Sequence, residues 1–273
     1  MTQTLSPDTT PVAPRVTRSA FALALADCGV LIGRNVRHIT RNPEQLFQAV
    51  SLPIILTLLF RYFFGGAINT GTMTYANYMI AGLMVISIAF NSTSTVVGVA
   101  DDMRNGIVER FRSMPMLGPA VLVGHVVSAV LRNALSVVVM IAVGLLVGFR
   151  PEAGVGGWLA ALGVLLLMAT AVSWLAVILG LAAKTVEGAG GLGMILVFLP
   201  YASSALVPTE SMPGVLRAIV ENQPFTAVAD TLRALFADTP VGSAGWLALV
   251  WWVGILVLTV PFAVRLFHRR ATR

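Results

Sequence analysis

The side chains that could perform chemistry are few, and none of them belongs to a catalytic or metal-binding pattern. His38, His125 and His268 stand alone in the sequence, without a second ligand at the spacing that zinc sites require. Cys28 is the single cysteine, and it has no neighbouring base that would activate a nucleophilic thiol. We therefore expect a protein that is not an enzyme and that has no catalytic, cofactor-binding or metal-binding residues.

A glycine-rich run at residues 188–193 comes nearest to a nucleotide-binding motif. It lacks the Lys-Ser or Lys-Thr pair that follows the glycines of a phosphate-binding loop, and it opens an apolar segment. Small residues in such a place favour close packing between membrane helices. The sequence therefore predicts that this chain does not bind ATP by itself.

Residues 101–115 concentrate acidic and basic side chains in a chain that is otherwise strongly apolar. Asp101 and Asp102 predict a helix N-terminus, where acidic groups complement the helix dipole. Pro115 would end this helix, and an apolar stripe runs between, formed by Met103, Ile107, Phe111 and Met114. The pattern predicts a short amphipathic helix whose apolar ridge fits a groove on a partner. The alternative is an ordinary solvated loop with internal ion pairs.

The elements that must hold these residues are membrane helices. Hydrophobic residues make up 57% of the 273-residue chain and charged residues only 11%, against roughly 25% charged in soluble domains. The mean hydropathy is +0.85, and a helix needs about 20 apolar residues to cross a bilayer. We expect an all-α integral membrane protein with six transmembrane helices, within residues 46–64, 76–100, 119–149, 158–181, 192–207 and 246–266. Tyr75 and Tyr78 suit a membrane–water interface.

The distribution of basic residues predicts the orientation of these spans. If the N-terminus is inside, thirteen basic residues lie on the inner side: Arg15, Arg18, Arg34, Arg37, Arg41, Arg104, Arg110, Arg112, Lys184, Arg265, Arg269, Arg270 and Arg273. Only four lie on the outer side: Arg61, Arg150, Arg217 and Arg233. Cytoplasmic loops of membrane proteins carry an excess of Lys and Arg. We therefore expect a multi-pass protein of the cell membrane with both termini cytoplasmic, and the net charge of +6 implies anionic lipid rather than nucleic acid.

Three regions are not simple spans. Residues 1–18 predict a disordered tail, ahead of one transmembrane domain at 19–273. Residues 19–41 carry a basic face opposite an apolar face, which predicts an amphipathic helix lying in the membrane interface, or else a solubilising lead-in. Residues 208–240 predict two short amphipathic helices, 214–221 and 225–237, that form an extracellular re-entrant cap.

Two polar features inside the predicted spans leave alternatives open. The apolar stretch 119–149 is too long for one span, so it either bends near Arg132, whose side chain then reaches the inner interface, or holds Arg132 within the bilayer. Residues 91–95, Asn-Ser-Thr-Ser-Thr, either line a polar path or hydrogen-bond to their own helix backbone.

Three segments resemble the membrane subunits of the ABC type-2 exporter family, and in particular the daunorubicin-resistance-type permeases of actinobacteria. The first is Gly-x-x-Glu-Arg at residues 106–110, and the second is Gly-Phe-Arg-Pro at residues 148–151. The third runs from Met-Pro at 212–213 through Asn-Gln-Pro-Phe at 222–225 to Asp-Thr-Leu-Arg at 230–233. The resemblance covers residues 19–270.

The resemblance implies a permease that exports hydrophobic or amphipathic small molecules, such as drugs, antibiotics or lipids, and that takes its energy from a partner. It implies a dimer of this chain with two copies of an ATP-binding subunit, which carries the ATP and Mg. The segment after the second span would be a cytoplasmic coupling helix that contacts this subunit through Gly106, Ile107, Glu109, Arg110 and Phe111. The second and fifth spans would line the substrate path, with Ser87, Asn91, Thr95, Ser203 and Ser204 as polar lining.

Two other functions compete with this prediction. An ATP-independent channel or secondary transporter would need ionisable residues inside the spans to couple an ion, and Asp and Glu are absent from the cores of all six predicted spans. A membrane assembly factor without transport activity is the third possibility.

Overall fold

The described part of the chain is entirely helical where it is regular. The computed structural model describes residues 43–65, 73–105 and 120–271. Its α-helices are α1 (Pro43–Leu59), α2 (Tyr75–Arg104), α3 (Ala120–Leu146), α4 (Val155–Ala182), α5 (Val186–Tyr201), α6 (Gly214–Glu221), α7 (Pro224–Phe236) and α8 (Gly242–Ala271). A π-helix, Phe60–Phe64, continues α1, and a 3-10 turn, Thr209–Ser211, precedes α6. The interfacial helix predicted at 19–41 and the coupling residues 106–115 lie outside the described residues.

Four of these helices are long and apolar enough to cross a membrane: α2, α3, α4 and α8. Two shorter apolar stretches, Val50–Phe64 and Val186–Tyr201, accompany them. The architecture is that of a multi-pass membrane protein, as the sequence predicts. Exposed Leu, Phe and Val side chains cover the outer faces, which suits a surface in contact with lipid acyl chains.

Helix α2 is the centre of the bundle. About four fifths of its most apolar stretch is buried (78%), against 22% in α8. It packs against α3, α4, α5 and α7, and glycines allow two of these approaches. Gly180 of α4 lies directly on the backbone of Val96, and Gly193 of α5 lies on Thr93. This confirms close packing through the glycine-rich run at Gly193, whereas Gly190 and Gly191 face open space.

The first turns of these helices follow local sequence signals. The side chain of Thr74 accepts a hydrogen bond from the backbone N–H of Asn77 and so caps α2. Thr185 caps α5 in the same way through the N–H of Gly188. Helix α6 spans the predicted 214–221, and α7 begins with Pro224 at its first position, where proline is tolerated.

The structure corrects four sequence-based expectations in this scaffold. Asp101 and Asp102 lie in the last turn of α2, not at a helix N-terminus, because α2 continues without a break to Arg104. Tyr75 and Tyr78 are buried against the protein rather than set at a lipid interface. The fifth apolar helix runs Val186–Tyr201 instead of 192–207, since the glycine-rich run is already helical. Helix α3 is one uninterrupted helix.

The loops and short helices α6 and α7 gather at one end of the bundle. Arg61, after α1, donates through Nε to the carbonyl of Val147 at 2.8 Å, at the end of α3. The indole N–H groups of Trp251 and Trp252 on α8 donate to the carbonyls of Asn222 and Pro224, each at 3.2 Å. These bonds hold the α6–α7 pair against α8, so the two short helices form a fixed cap on this end.

The cap carries an exposed ion pair on α6. Nε of Arg217 lies 2.6 Å from Oε1 of Glu221, one helical turn away. The hydrogen bond from the Arg217 side chain lowers the pKa of Glu221 below its usual value. Solvent screens such a pair, so it contributes little to the stability of the fold.

Candidate functional site

The five predicted path residues separate into two groups that lie at different levels of the bundle. Ser87, Asn91 and Thr95 follow one another at four-residue intervals on α2, so they share one face of that helix. Ser203 and Ser204 follow the end of α5, near the cap. The structure therefore does not bring the five residues together into one lining.

The first group faces α3. The Nη2 of Arg132 donates to Thr95 Oγ1 at 2.9 Å, and Gly144 faces Ile80. These contacts set an antiparallel register in which Asn91 lies level with Ser136. We define the α2–α3 polar cluster as Ser87, Asn91, Thr95, Arg132, Asn133 and Ser136.

Most members of the α2–α3 polar cluster have an unpaired polar atom. Buried atoms without a hydrogen-bond partner among the described residues include Ser87 Oγ, Asn91 Nδ2, Arg132 Nε, both side-chain polar atoms of Asn133 and Ser136 Oγ. The contact between Arg132 and Thr95 keeps the guanidinium inside the protein, near the middle of α3. The sequence indicated Arg132 as a possible functional residue, but Asn133 and Ser136 were missed because a lone amide or hydroxyl in an apolar helix gives no local signal.

The hydroxyls at 92–94 mostly bond to the backbone. Ser92 Oγ donates to the carbonyl of Ile88 at 2.8 Å, and Ser94 Oγ donates to that of Asn91 at 2.7 Å. Such bonds satisfy a hydroxyl within its own helix. Within residues 91–95, only two side chains therefore present polar groups toward α3. Asn91 has an unpaired amide nitrogen, and Thr95 accepts the hydrogen bond from Arg132.

The second group belongs to a fully paired cluster around Arg233 of α7. Nη1 of Arg233 donates to Asp230 Oδ1 at 2.6 Å and to Ser204 Oγ at 3.0 Å. Nη2 donates to the carbonyls of Ser204 and Ala205 at 2.7 Å and 3.1 Å. Nε donates to the carbonyl of Tyr78 at 3.2 Å. We call these five residues the Arg233 cluster.

Aromatic contact completes the Arg233 cluster. The guanidinium carbon of Arg233 lies 3.5 Å from the centroid of the Tyr78 ring, and the Tyr78 hydroxyl donates to the carbonyl of Ser204 at 2.7 Å. The neighbouring Ser203 hydroxyl donates to the carbonyl of Pro200. Because these polar groups are all engaged, the serines after α5 connect α7 to α2 and have no free hydroxyl for a substrate.

A third polar contact joins α2 and α3 at the opposite end of the bundle. His125 Nε2 lies 2.9 Å from Asp102 Oδ2, and both side chains are mostly buried. The expectation that His125 is isolated is therefore wrong. Asp102 is 23 residues away in the sequence, so this contact depends on how α2 and α3 pack against each other.

We expect His125→Ala to lower the melting temperature by about 2–4 °C, which corresponds to about 1 kcal/mol in a domain of this size. The substitution removes a partly buried hydrogen bond to a carboxylate that holds the ends of α2 and α3 together. His125→Gln is the control because its amide can still donate to Asp102. Thermal unfolding in detergent measures both, and equal melting temperatures for wild type and His125→Ala would contradict the structural role.

The predicted coupling residues Gly106, Ile107, Glu109, Arg110 and Phe111 lie outside the described residues. The structure shows what they connect, because α2 ends at Arg104 and α3 begins at Ala120. The His125–Asp102 contact lies at this same end of the bundle. A displacement of the connecting segment would therefore act directly on the two helices that form the α2–α3 polar cluster.

The fold and the site together define a class: a helical, multi-pass membrane protein whose buried polar groups suit binding or transport rather than catalysis. Among the described residues, no three His, Cys, Asp or Glu side chains are grouped so that they could hold a metal ion. The family described as "ABC-2 type transporter" matches residues 26–237. The chain belongs to the ABC-2 type transporter family.

Curated relatives agree with the family. The chain is 31% identical over 258 residues to "Daunorubicin resistance ABC transporter permease protein DrrB1" of Streptomyces coeruleorubidus, covering 93% of this chain and 90% of the relative. It is 24% identical over 257 residues to "Probable doxorubicin resistance ABC transporter permease protein DrrC" of Mycobacterium tuberculosis, covering 93% and 92%.

Family membership confirms the main functional predictions from the sequence. The chain is the membrane permease subunit of an ABC exporter. It is not an enzyme and carries no cofactor, because a separate ATP-binding subunit hydrolyses the ATP. That subunit is the partner that the family implies, and the ATP-independent alternatives are thereby set aside.

Proposed function

We propose that this permease exports hydrophobic or amphipathic small molecules, such as drugs, antibiotics or lipids, out across the cell membrane. The observation that carries the proposal is the 31% identity, over 93% of the chain, to a permease named for daunorubicin resistance. Lipophilic cargo also suits a protein whose outer faces are apolar along the whole bundle.

We infer that the working unit contains two copies of this chain and two ATP-binding subunits. The chain spans the membrane six times, with residues 1–18 as a tail, 19–273 as the transmembrane domain, and both termini cytoplasmic. The excess of basic residues on the side that this orientation places inside, thirteen against four, supports it. The structure groups the arginines on the same two sides as the count, with Arg61, Arg150 and Arg233 at the end with the cap, and Arg104 and Arg270 at the other end.

The proposed mechanism couples ATP to α2. Closure of the two ATP-binding subunits displaces the coupling helix at residues 106–115, which Glu109 and Arg110 hold against the partner. Helix α2 transmits this displacement because it is continuous from Tyr75 to Arg104 and because the Arg233 cluster ties its outer end to the cap. The two permease copies then rearrange around a path at their interface.

We expect Glu109→Ala to reduce ATP hydrolysis coupled to transport by about tenfold or more, since a charge-assisted contact with the partner is lost. The experiment co-purifies the permease with its ATP-binding subunit and measures drug-dependent ATP hydrolysis in liposomes. Glu152→Ala is the matched control, because this exposed glutamate lies between α3 and α4 at the opposite end of the bundle.

Two results decide the assignment. Loss of complex formation or of coupled hydrolysis in Glu109→Ala alone supports the coupling role. If Glu109→Ala retains full complex formation and full coupled hydrolysis, residues 106–111 are not the coupling element.

A further inference from the structure

The contact between α2 and α3 differs in chemistry from the other contacts of α2. Against α4 and α5, α2 is packed so closely that a Cβ added at Gly180 or Gly193 would lie within 3 Å of a neighbouring atom. Against α7, the Arg233 cluster satisfies its polar groups. On the side toward α3, α2 instead presents two buried polar atoms that lack partners among the described residues, Ser87 Oγ and Asn91 Nδ2.

The α2–α3 polar cluster occupies about two helical turns near the middle of α2 and α3. Thr95 contacts Arg132, and the antiparallel register places Asn91 level with Ser136 and Ser87 about one turn farther. Asn133 lies on the buried side of α3 between Arg132 and Ser136, and it is only 1% exposed. Arg132 is about 18 Å along α3 from Ala120, which is close to the middle of the helix.

The chemistry of the α2–α3 polar cluster is that of a hydrogen-bond donor site with a positive charge. Its unpaired atoms are mainly donors: the Nε of Arg132, the amide nitrogens of Asn91 and Asn133, and the hydroxyls of Ser87 and Ser136. None of the ion pairs within the described ranges involves Arg132. A buried cation surrounded by donors is complementary to an anion with several acceptor oxygens.

We propose that the α2–α3 polar cluster binds the anionic head group, a carboxylate or a phosphate, of an amphipathic molecule, with Arg132 as its charge partner. In this structure the helices are closed over the cluster. Separation of α3 from α2 would open it, and each unpaired donor then gains a partner when the head group enters. The apolar tail would lie along the exposed aliphatic side chains that flank Arg132 on α3, Leu131 and Leu135.

This inference rests on the proposed function, since a head-group site inside a permease serves export only if the chain exports amphipathic molecules. It goes further by naming the chemical group that the site selects. The binding test is made without ATP, so its outcome is independent of the coupling test with Glu109→Ala.

The experiment measures binding of spin-labelled stearate to the complex of the permease with its ATP-binding subunit in phosphatidylcholine nanodiscs. The fraction of immobilised probe in the electron paramagnetic resonance spectrum reports binding. Spin-labelled methyl stearate has the same chain without the charge, and a spin-labelled alkyl phosphate has the second head group. We expect the two anionic probes to be immobilised at least about tenfold more tightly than the ester.

Two permease variants and a control test the site itself. Arg132→Gln should reduce affinity for the anionic probes about tenfold or more and leave the ester unchanged. Arg265→Gln makes the same chemical change at an exposed arginine of α8 and should have no effect. Asn133→Leu replaces an unpaired buried amide with an apolar side chain of similar size, so it should raise the melting temperature while it weakens probe binding.

The outcomes separate the possibilities. Phosphatidic acid in the nanodiscs and a soluble alkyl phosphate are then compared as competitors of the probe. Stronger displacement by phosphatidic acid identifies a membrane lipid as the natural ligand, and stronger displacement by the soluble alkyl phosphate identifies a free amphiphile. Equal binding of stearate and its methyl ester overturns the proposal, as does unchanged binding in both Arg132→Gln and Asn133→Leu. Anion binding without ATP-driven export would contradict the proposed function but support the binding site. Export without anion binding would support the proposed function but contradict the binding site.

Discussion

Replacement of Arg233 by methionine is expected to lower the free energy of unfolding by about 3–5 kcal/mol, because three buried backbone carbonyl groups lose the donor that satisfies them. Arg233 is only 6% exposed and donates to five acceptor atoms. Methionine fills much of the same volume but leaves buried carbonyl groups without donors, and each buried polar group that loses its partner costs about 1–3 kcal/mol. Thermal and denaturant unfolding in detergent, together with the yield of monodisperse protein, measure the effect.

The matched control is Arg217→Met on the neighbouring helix α6. Arg217 pairs only with Glu221 in an exposed position, and such pairs are screened by solvent. We expect little change in stability there. Arg233→Lys is a second variant, and we expect it to recover only part of the loss, because one ammonium group cannot reach carbonyls on both sides of the planar guanidinium.

A small effect of Arg233→Met, equal to that of Arg217→Met, would contradict the role given to the Arg233 cluster. In that case, Tyr78 and Ser204 would hold the first turn of α2 to the cap through their own hydrogen bond at 2.7 Å.

Gly82→Ala is expected to destabilise the protein by about 3 kcal/mol or more, at or above the upper end of the usual cost of overpacking. A Cβ built on Gly82 would lie 1.7 Å from the carbonyl oxygen of Ala205 and 2.4 Å from its carbonyl carbon. The obstacle is backbone, so no side-chain rotation can remove the clash, and α2 must move away from the segment after α5. That movement would also strain the contacts of Ser204 and Ala205 with Arg233.

Gly190→Ala provides the opposite expectation within the same fold. Gly190 is also helical, but a Cβ built there meets nothing within 4 Å. Alanine is favoured over glycine inside a helix by about 0.5–1 kcal/mol, so this variant should be neutral or slightly more stable. Melting temperatures of the two variants, measured side by side in detergent, test the contrast, and a tolerated Gly82→Ala would mean that α2 does not approach Ala205 so closely.

The sequence predicted helix positions well where the signal is local. Pro213 and Pro224 mark the starts of two short helices because proline is tolerated in a first turn, and the structure has α6 at Gly214–Glu221 and α7 at Pro224–Phe236. The predicted start of α5 at residue 192 is wrong, because there the tertiary structure overrides the local sequence signal. Glycine in residues 188–193 weakens the helical signal, yet packing of Gly193 against Thr93 keeps the run helical.

The candidate site could be predicted only in part. A four-residue spacing correctly placed Ser87, Asn91 and Thr95 on one face of α2, because the period of a helix is a property of the chain itself. It could not show that this face meets Arg132, Asn133 and Ser136, or that Ser203 and Ser204 belong to a separate, fully paired cluster. The same gap explains why His125 was expected to be isolated, although Asp102 lies 2.9 Å away.

The sequence by itself determined that this protein is a helical membrane protein with no nucleotide-binding loop of its own, and that it resembles ABC type-2 permeases. These conclusions follow from composition, charge and short motifs, which depend on residue type and order alone. Only the tertiary structure decided which polar groups are satisfied and which are not. Arg233 and Arg132 are both arginines in apolar surroundings, but among the described residues the first has five acceptors and the second has one, since most of these partners are distant in the sequence. This difference makes the Arg233 cluster a structural element and the α2–α3 polar cluster a candidate binding site.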